Sequence, residues 1–275
     1  MGWSPGSPPA KAMTVKVTFT GLRERLQTLD RLEREQLPFA AALALTRTAQ
    51  EVQKELRQEM ETVFDRPTRA TLNSLFIQPA TKDKMEARVW IKDGRSTNGA
   101  GNLVGQEGQW GQGRAASTWL TPQVYGGSRG EKGFEKMLRR KGVLGSGQYV
   151  VPGDKLELDQ YGNIGRGRLN KMLSGAQLFT QEGYNANATD SRRSMRKGNR
   201  RYFLIKKGNR PIGIAERLGY GKGSRNNIRI VLAFVRNPGY SKRLDFFGVA
   251  ERVAEDQLPI QFELALARAL GTRRR

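Results

Sequence analysis

The longest helical pattern in the sequence covers residues 38–63, and it limits the folds open to this chain more than any other feature. Its apolar positions lie mostly three or four residues apart: Phe39, Leu43, Ala49, Val52, Leu56, Met60 and Val63. Pro38 is favourable as the first residue of this helix. A helix of this length spans about 38 Å, too long for a small pocket-forming element. The pattern therefore predicts a long amphipathic helix that lies across a sheet.

A corner follows the long helix at residues 64–82. Asp65-Arg66-Pro67 is predicted to end the helix, because the residue before a proline avoids the helical region. Thr68 can cap a short helical turn over residues 70–74. Two alternating segments, 75–79 and 85–92, then predict a hairpin with one solvated face.

Further strands and helices are predicted on both sides of this region. Alternation predicts a strand at 14–20 and three more at 201–206, 211–217 and 228–235. Helical spacing predicts helices at 22–36, 167–179 and 244–270, the last interrupted at Pro259. Residues 118–144 are interpreted as an extended piece, a turn at Gly126-Gly127 and a helix with a basic side, and 151–163 as turn-rich.

The fold class predicted from these elements is α+β. It has an antiparallel sheet, a long helix packed across it, a C-terminal helix and Gly-rich loop insertions. Residues 1–13 read as a flexible arm without a secretory signal, and residues 14–180 as the main domain, with a long loop at 94–116. Residues 181–199 read as a basic linker or loop. Residues 200–275 complete the same domain as a three-strand meander and a helix.

The chain contains no cysteine and no histidine. Disulfides, zinc-thiolate sites, thiol nucleophiles and Ser-His triads are therefore excluded. Two acidic groups could hold a metal: Asp83 with Glu86, and Asp154 with Glu157 and Asp159. Solvated polar surface explains both groups better, so we expect no cofactor, no metal and no catalytic residue.

Positive charge is the dominant compositional feature. The net charge is +22, and residues 192–243 contain sixteen lysines or arginines against one acidic residue, Glu216. Such a balance indicates an acidic partner, either nucleic acid or an acidic neighbouring protein. The predicted contact residues are Arg192, Arg193, Arg196, Lys197, Arg200, Arg201, Lys206, Lys207, Arg210, Lys222 and Arg225. Aromatic residues are sparse among them, which argues against base stacking.

Several motifs resemble the minor tail protein Z family of tailed bacteriophages and prophages. They are FDRPT at 64–68, ATK at 80–82, GGSR at 126–129 and DQYGN at 159–163, together with Ala49, Glu135, Leu138 and Gly142. The resemblance covers roughly residues 37–180. The Gly-rich loop and the basic segment near residue 190 depart from the simplest family pattern.

The resemblance implies a structural virion protein, a tail-completion or neck component at the head–tail junction, whose copies form a ring. It implies portal, adaptor or tail proteins and packaged double-stranded DNA as partners, with assembly in the host cytoplasm. We expect no membrane partner, because no run of about 18 apolar residues exists. Trp110, Trp119, Arg66 and Pro67 are the predicted subunit contacts. The alternatives are a nonspecific DNA-packaging protein and a Mg²⁺-dependent nuclease that uses Asp83.

Overall fold

A computed structural model of the chain describes residues 13–18, 31–92, 115–178, 201–218, 228–236 and 238–271. The helices in these ranges are α1 (Arg31–Val63), α2 (Arg69–Leu72), α3 (Ser117–Tyr125), α4 (Gly133–Arg140), α5 (Arg166–Gly175) and α6 (Phe246–Gly271). The strands are β1 (Thr14–Thr18), β2 (Leu75–Gln78), β3 (Glu86–Ile91), β4 (Gly127–Ser128), β5 (Gln148–Pro152), β6 (Tyr202–Lys207), β7 (Arg210–Arg217), β8 (Ile228–Arg236) and β9 (Gly239–Tyr240). The predicted α+β class is confirmed.

The chain divides into two compact units. Unit 1 contains Met1–Gly127 and Tyr240–Arg275, and unit 2 contains Ser128–Gly239. The predicted organisation instead has residues 14–180 and 200–275 in one domain. The boundaries differ because the contacts that define unit 2 join residues far apart in the sequence, such as β5 and β8.

Unit 1 is built on an antiparallel three-stranded sheet with the order β1-β3-β2. The long helix α1 packs across this sheet, as predicted, and α6 packs against α1. Leu45, Val52 and Leu56 of α1 meet Ala87 and Val89 of β3 in the core. The apolar face of α1 and the alternation of β3 thus bury each other.

Alanines line a second contact between α1 and α6. Ala40 and Ala44 of α1 form a buried cluster with Ala265 and Ala269 of α6. Because alanine is small, the two helix backbones can approach closely here. Among the described residues, no helix is long and apolar enough to span a membrane.

Two predictions about proline are corrected by these helices. Pro38 does not start the long helix, which begins at Arg31 and runs through it, and Pro259 does not interrupt α6. A proline inside a helix removes one hydrogen bond and costs about 3 kcal/mol. Packed residues that follow each proline, Ala40 and Ala44 after Pro38 and Ala265 after Pro259, offset this cost. The predicted helix at 22–36 lies partly outside the described residues, and its residues 31–36 belong to α1.

The corner after α1 has the predicted capping geometry. Thr68 Oγ1 accepts a hydrogen bond from the Thr71 backbone N–H at 3.2 Å, which caps α2. Arg66 adopts φ +51°, a left-handed conformation that turns the chain at the end of α1. Thr46 Oγ1 of α1 accepts from the Ala80 N–H at 3.1 Å and so holds the end of the β2 segment to the helix.

Residues 117–125 correct another prediction, because this segment is helix α3 and not extended. Leu120 and Val124 are buried four residues apart, so burial follows helical periodicity. The predicted turn follows at Gly126 and Gly127, which have φ +77° and +94°, values that favour glycine.

Unit 2 contains an antiparallel four-stranded sheet with the order β5-β8-β7-β6. The three predicted strands are confirmed as β6, β7 and β8, whereas β5 begins just before the segment interpreted as turn-rich. Leu138 of α4 and Met172 of α5 pack with Ile214 and Leu232 of the sheet in one core. A side chain at position 213 would place its Cβ 2.4 Å from the Leu232 carbonyl oxygen, so β7 needs Gly213 beside β8.

Candidate nucleic-acid interface

The positive charge of the chain is concentrated in unit 2. Residues 128–239 contain 24 lysines or arginines and 8 acidic residues, which gives +16 of the total +22. The larger unit 1 carries the remaining +6. A unit with this balance attracts polyanions, and the attraction weakens as salt screens it.

The turn between β6 and β7 carries three of the predicted contact residues. Lys206, Lys207 and Arg210 are exposed there, and Lys207 pairs directly with Arg210 across the hairpin. Gly208 has φ +60° at the first turn position, as a two-residue type II′ hairpin turn requires. The register shifts between Ile205 and Lys206, so consecutive lysines stand at the exposed end of β6.

These three cations have no ion pair with any described residue. Directly opposite side chains on paired strands lie about 5 Å apart, so Lys207 and Arg210 reinforce each other's field. The cost of that repulsion falls when an anion binds between them. The hairpin end therefore offers adjacent positive charges to an anion such as a phosphate group.

Arg201 lies at the other end of β6 and has a different role. It precedes Lys206 by five positions, about 17 Å along an antiparallel strand. Its Nε donates to the Arg217 carbonyl oxygen at 3.2 Å and lies 3.9 Å from Glu216 Oε1. The structure thus places Arg201 apart from Lys206, Lys207 and Arg210 at the hairpin turn.

Glu216 is the one acidic residue of the basic segment, and it is buried. Arg229 donates to Glu216 Oε2 from Nε at 2.7 Å, and its Nη2 lies 2.6 Å from the same oxygen. Burial raises the pKa of the neighbouring Tyr202, and the Glu216 charge raises it further. Arg229 therefore supports the fold and contributes little free charge.

Exposed cations of unit 2 outside the predicted contact set include Arg217, Lys136 and Arg140. The Arg217 guanidinium lies 5.2 Å from the centre of the Phe203 ring, which holds it at the sheet edge. Lys136 and Arg140 lie on the exposed face of α4, four residues apart. The basic side of the helix predicted within residues 118–144 could have identified Lys136 and Arg140 from the sequence. Arg139 on the same helix is instead bound to Glu131 and to the carbonyl oxygens of Gly145 and Gln148.

Several predicted contact residues lie outside the described residues: Arg192, Arg193, Arg196, Lys197, Arg200, Lys222, Arg225 and Trp110. The Gly-rich loop at 94–116 lies almost wholly outside them as well. Of the predicted subunit contacts, Trp119 is 36% exposed on α3. Arg66 and Pro67 lie in the corner after α1, where Arg66 binds Asp65.

Three of the five carboxylates considered for metal binding, Glu86, Glu157 and Asp159, have other partners. Glu86 hydrogen-bonds Arg88 and lies within 4.0 Å of Lys16 and Lys84. The hydrogen bond with Arg88 lowers the pKa of Glu86. Glu157 binds Arg168 at 2.8 Å, and Asp159 Oδ1 accepts from the backbone N–H groups of Tyr161 and Asn163. Within the described residues, no three acidic side chains converge on a possible metal position.

Two of the motifs behind the family resemblance form structural contacts. Arg129 of GGSR binds the fully buried Glu135 through two hydrogen bonds of 2.8 and 2.6 Å. In DQYGN, Asp159 closes a turn in which Gly162 has φ +74°. These residues hold their loops in shape.

Comparison with known proteins adds no assignment. The chain matches no family model, no curated protein and no solved structure.

Proposed function

We propose that this chain is a structural virion protein of a tailed bacteriophage, a ring-forming tail-completion or neck component at the head–tail junction. The motif resemblance over residues 37–180 supports this class. In the proposal, copies contact one another and the portal, adaptor or tail proteins. Unit 2 faces the packaged double-stranded DNA and binds it without sequence preference.

One observation carries the DNA-contact part of the proposal. Unit 2 has a net charge of +16, and three exposed cations flank the turn of its β6–β7 hairpin: Lys206, Lys207 and Arg210. These three side chains have no ion-pair partner among the described residues. Cations held by internal carboxylates would be neutralised in advance. Free cations can replace the counterions condensed on DNA, which drives sequence-independent binding.

The test measures how DNA affinity depends on salt. Fluorescence anisotropy of a labelled 30-base-pair duplex follows binding by the full chain across a NaCl series. Each phosphate contact contributes roughly −0.9 to the slope of log K against log salt. Replacing Lys206, Lys207 and Arg210 by Gln should therefore make the slope shallower by about 2.7.

A control variant tests whether the change in slope depends on where the three charges lie or only on the total net charge. Arg69, Arg243 and Arg252 are exposed on unit 1, and their replacement by Gln removes the same three charges. We expect this control to keep nearly the wild-type slope. An equal loss in both variants, or no DNA binding at low salt, would contradict a contact through the hairpin.

Locating the chain in the particle tests the structural role. Immunogold labelling of purified virions with an antibody to the full chain should mark the neck. If the monomer binds DNA but never enters the particle, the packaging-protein alternative explains the charge instead. We also expect no Mg²⁺-dependent cleavage of the duplex. Cleavage that Asp83→Ala abolishes would support the nuclease alternative.

A further inference from the structure

Among the described residues, β1 is an edge strand of the sheet of unit 1. β1 pairs with β3 on one side, and it is the terminal strand in the order β1-β3-β2. Within the described ranges, no strand pairs with its other side. An edge strand presents backbone N–H and C=O groups that can accept a further strand.

A groove of about 410 Å³ runs beside this edge. Residues 14–18 form one wall, and Phe247, Glu251, Ala254, Glu255 and Leu258 of α6 form the other. Both walls have similar length: β1 extends about 17 Å at 3.4 Å per residue, and the α6 wall about 16 Å at 1.5 Å per residue. The groove therefore fits one extended segment of about five to seven residues.

The α6 wall has a defined order of chemistry. Along the helix it presents Phe247, then Glu251, then Glu255, then Leu258, with the small Ala254 between them. Successive members are three or four residues apart, or about 5–6 Å along the axis. Every second residue of an extended strand advances by about 6.7 Å. One face of a bound strand can therefore meet these four side chains in turn.

The two carboxylates of this wall have no cationic partner among the described residues. Glu251 and Glu255 are exposed and lie one turn apart, a like-charge spacing that destabilises a helix slightly. The cation on the opposite wall, Lys16, lies 4.0 Å from Glu86. In a chain with net charge +22, this groove is a local acidic surface, and it complements a basic ligand.

We propose that this groove binds an extended segment of a partner protein, which adds to the free edge of β1 as a further strand. On the face of that segment toward α6, the alternate residues are, in order, apolar, basic, basic and apolar. The apolar side chains contact Phe247 and Leu258, and the basic ones pair with Glu251 and Glu255. The proposal concerns unit 1 and does not depend on DNA binding by unit 2.

The probe is a fluorescein-labelled peptide with the sequence VTKTKTV, added to the full chain. Its alternate residues reproduce the proposed pattern in either strand direction. We expect saturable binding by anisotropy, with VTETETV at least about tenfold weaker, because two attractive pairs become repulsive. Replacing the central threonine by proline should also weaken binding, since proline removes a backbone donor.

Two double variants locate the site on α6. Glu251→Lys with Glu255→Lys should weaken VTKTKTV binding by about tenfold or more. The control double variant, Asp256→Lys with Glu263→Lys, makes the same change in net charge at exposed positions of α6 outside the groove. Its affinity for VTKTKTV should stay within about twofold of wild type. Equal losses in the two variants, or no saturable binding up to about 1 mM peptide, would overturn the proposal.

Hydrogen exchange separates strand addition from simple contact with the helix. Bound peptide should slow amide exchange in residues 13–18. Binding that leaves these amides unchanged would overturn strand addition. Sedimentation tests whether a second copy of the chain occupies the groove instead. In that case the wild-type chain will form oligomers, the Glu251→Lys and Glu255→Lys double variant will be monomeric, and the peptide will not bind. This result would also overturn the proposal.

Discussion

At the residue scale, Glu135 shows how charge is used inside unit 2. Its side chain is fully buried. It accepts hydrogen bonds from Arg129 at 2.8 and 2.6 Å, from the Lys132 N–H at 2.7 Å and from the Val150 N–H at 2.8 Å. The carboxylate thereby joins α4 to β5 and to the loop before α4. Burial alone would raise the pKa of Glu135, but these donors outweigh it, and the pKa is lowered.

We predict that Glu135→Gln destabilises the protein by about 3 kcal/mol at pH 7, because it leaves the Arg129 charge with no carboxylate partner. Since the folded-state pKa of Glu135 is lowered, its ionised form stabilises the fold above the unfolded-state value of 4.5. This contribution is lost as the pH falls through the folded-state pKa. Urea denaturation followed by circular dichroism measures the difference between variant and wild type across pH.

Glu157→Gln provides the matched control, because Glu157 binds Arg168 at an exposed position. This variant should unfold close to the wild-type urea midpoint. For Glu135→Gln, the gap from wild type should narrow at acidic pH. A gap that stays constant from pH 7 to pH 3 would show that shape, and not the ionised carboxylate, accounts for the loss.

The sequence predicts local contacts of this kind and misses distant ones. Thr68 could be predicted as a cap because its acceptor oxygen and the Thr71 N–H are three residues apart. The Val150 N–H that binds Glu135 is fifteen residues away and belongs to a strand paired with β8. Such a partner follows from the sheet pairing, so residue types and spacing could not reveal it.

At the element scale, the pairing of α1 with α6 organises unit 1. The segments 35–49 and 256–270 share a Leu-Pro pair followed by alanine-rich helix. In the structure, alanines of both segments meet in one buried cluster. The helical periodicity could be predicted from the sequence. The passage of both helices through proline could not, because it depends on packing against the other helix.

We predict that Ala44→Leu destabilises the protein by about 1–3 kcal/mol, because the added methyl groups overpack a fully buried contact. Ala44 has no exposed surface and lies against alanines of α6. Gln50→Leu, at an exposed position of the same helix, is the control and should change stability by less than about 0.5 kcal/mol. Thermal unfolding measures both. Equal melting temperatures for the two variants would show that the helix interface has room to adjust.

At the scale of the whole molecule, a strongly basic chain carries two chemically different surfaces. Unit 2 has most of the positive charge, whereas unit 1 has a groove lined by Glu251 and Glu255. The net charge of +22 predicts an acidic partner from composition alone. The grouping of 24 cations in one unit depends on boundaries at residues 127 and 239, which long-range contacts define. The acidic groove joins β1 to α6, more than two hundred residues apart, and no sequence pattern indicated it.

We predict that duplex DNA protects unit 2 and leaves unit 1 unchanged. Hydrogen-exchange mass spectrometry of the full chain, with and without a 30-base-pair duplex at low salt, should show slower exchange in peptides that contain residues 205–211. Peptides from residues 38–63 should exchange equally in both samples, because α1 belongs to the unit that carries only +6. The protection should decrease when Lys206, Lys207 and Arg210 are replaced by Gln, since fewer phosphates are then contacted. Slower exchange across residues 38–63, with exchange in the hairpin unchanged, would instead place the DNA on unit 1. That result would contradict the proposal that unit 2 contacts DNA.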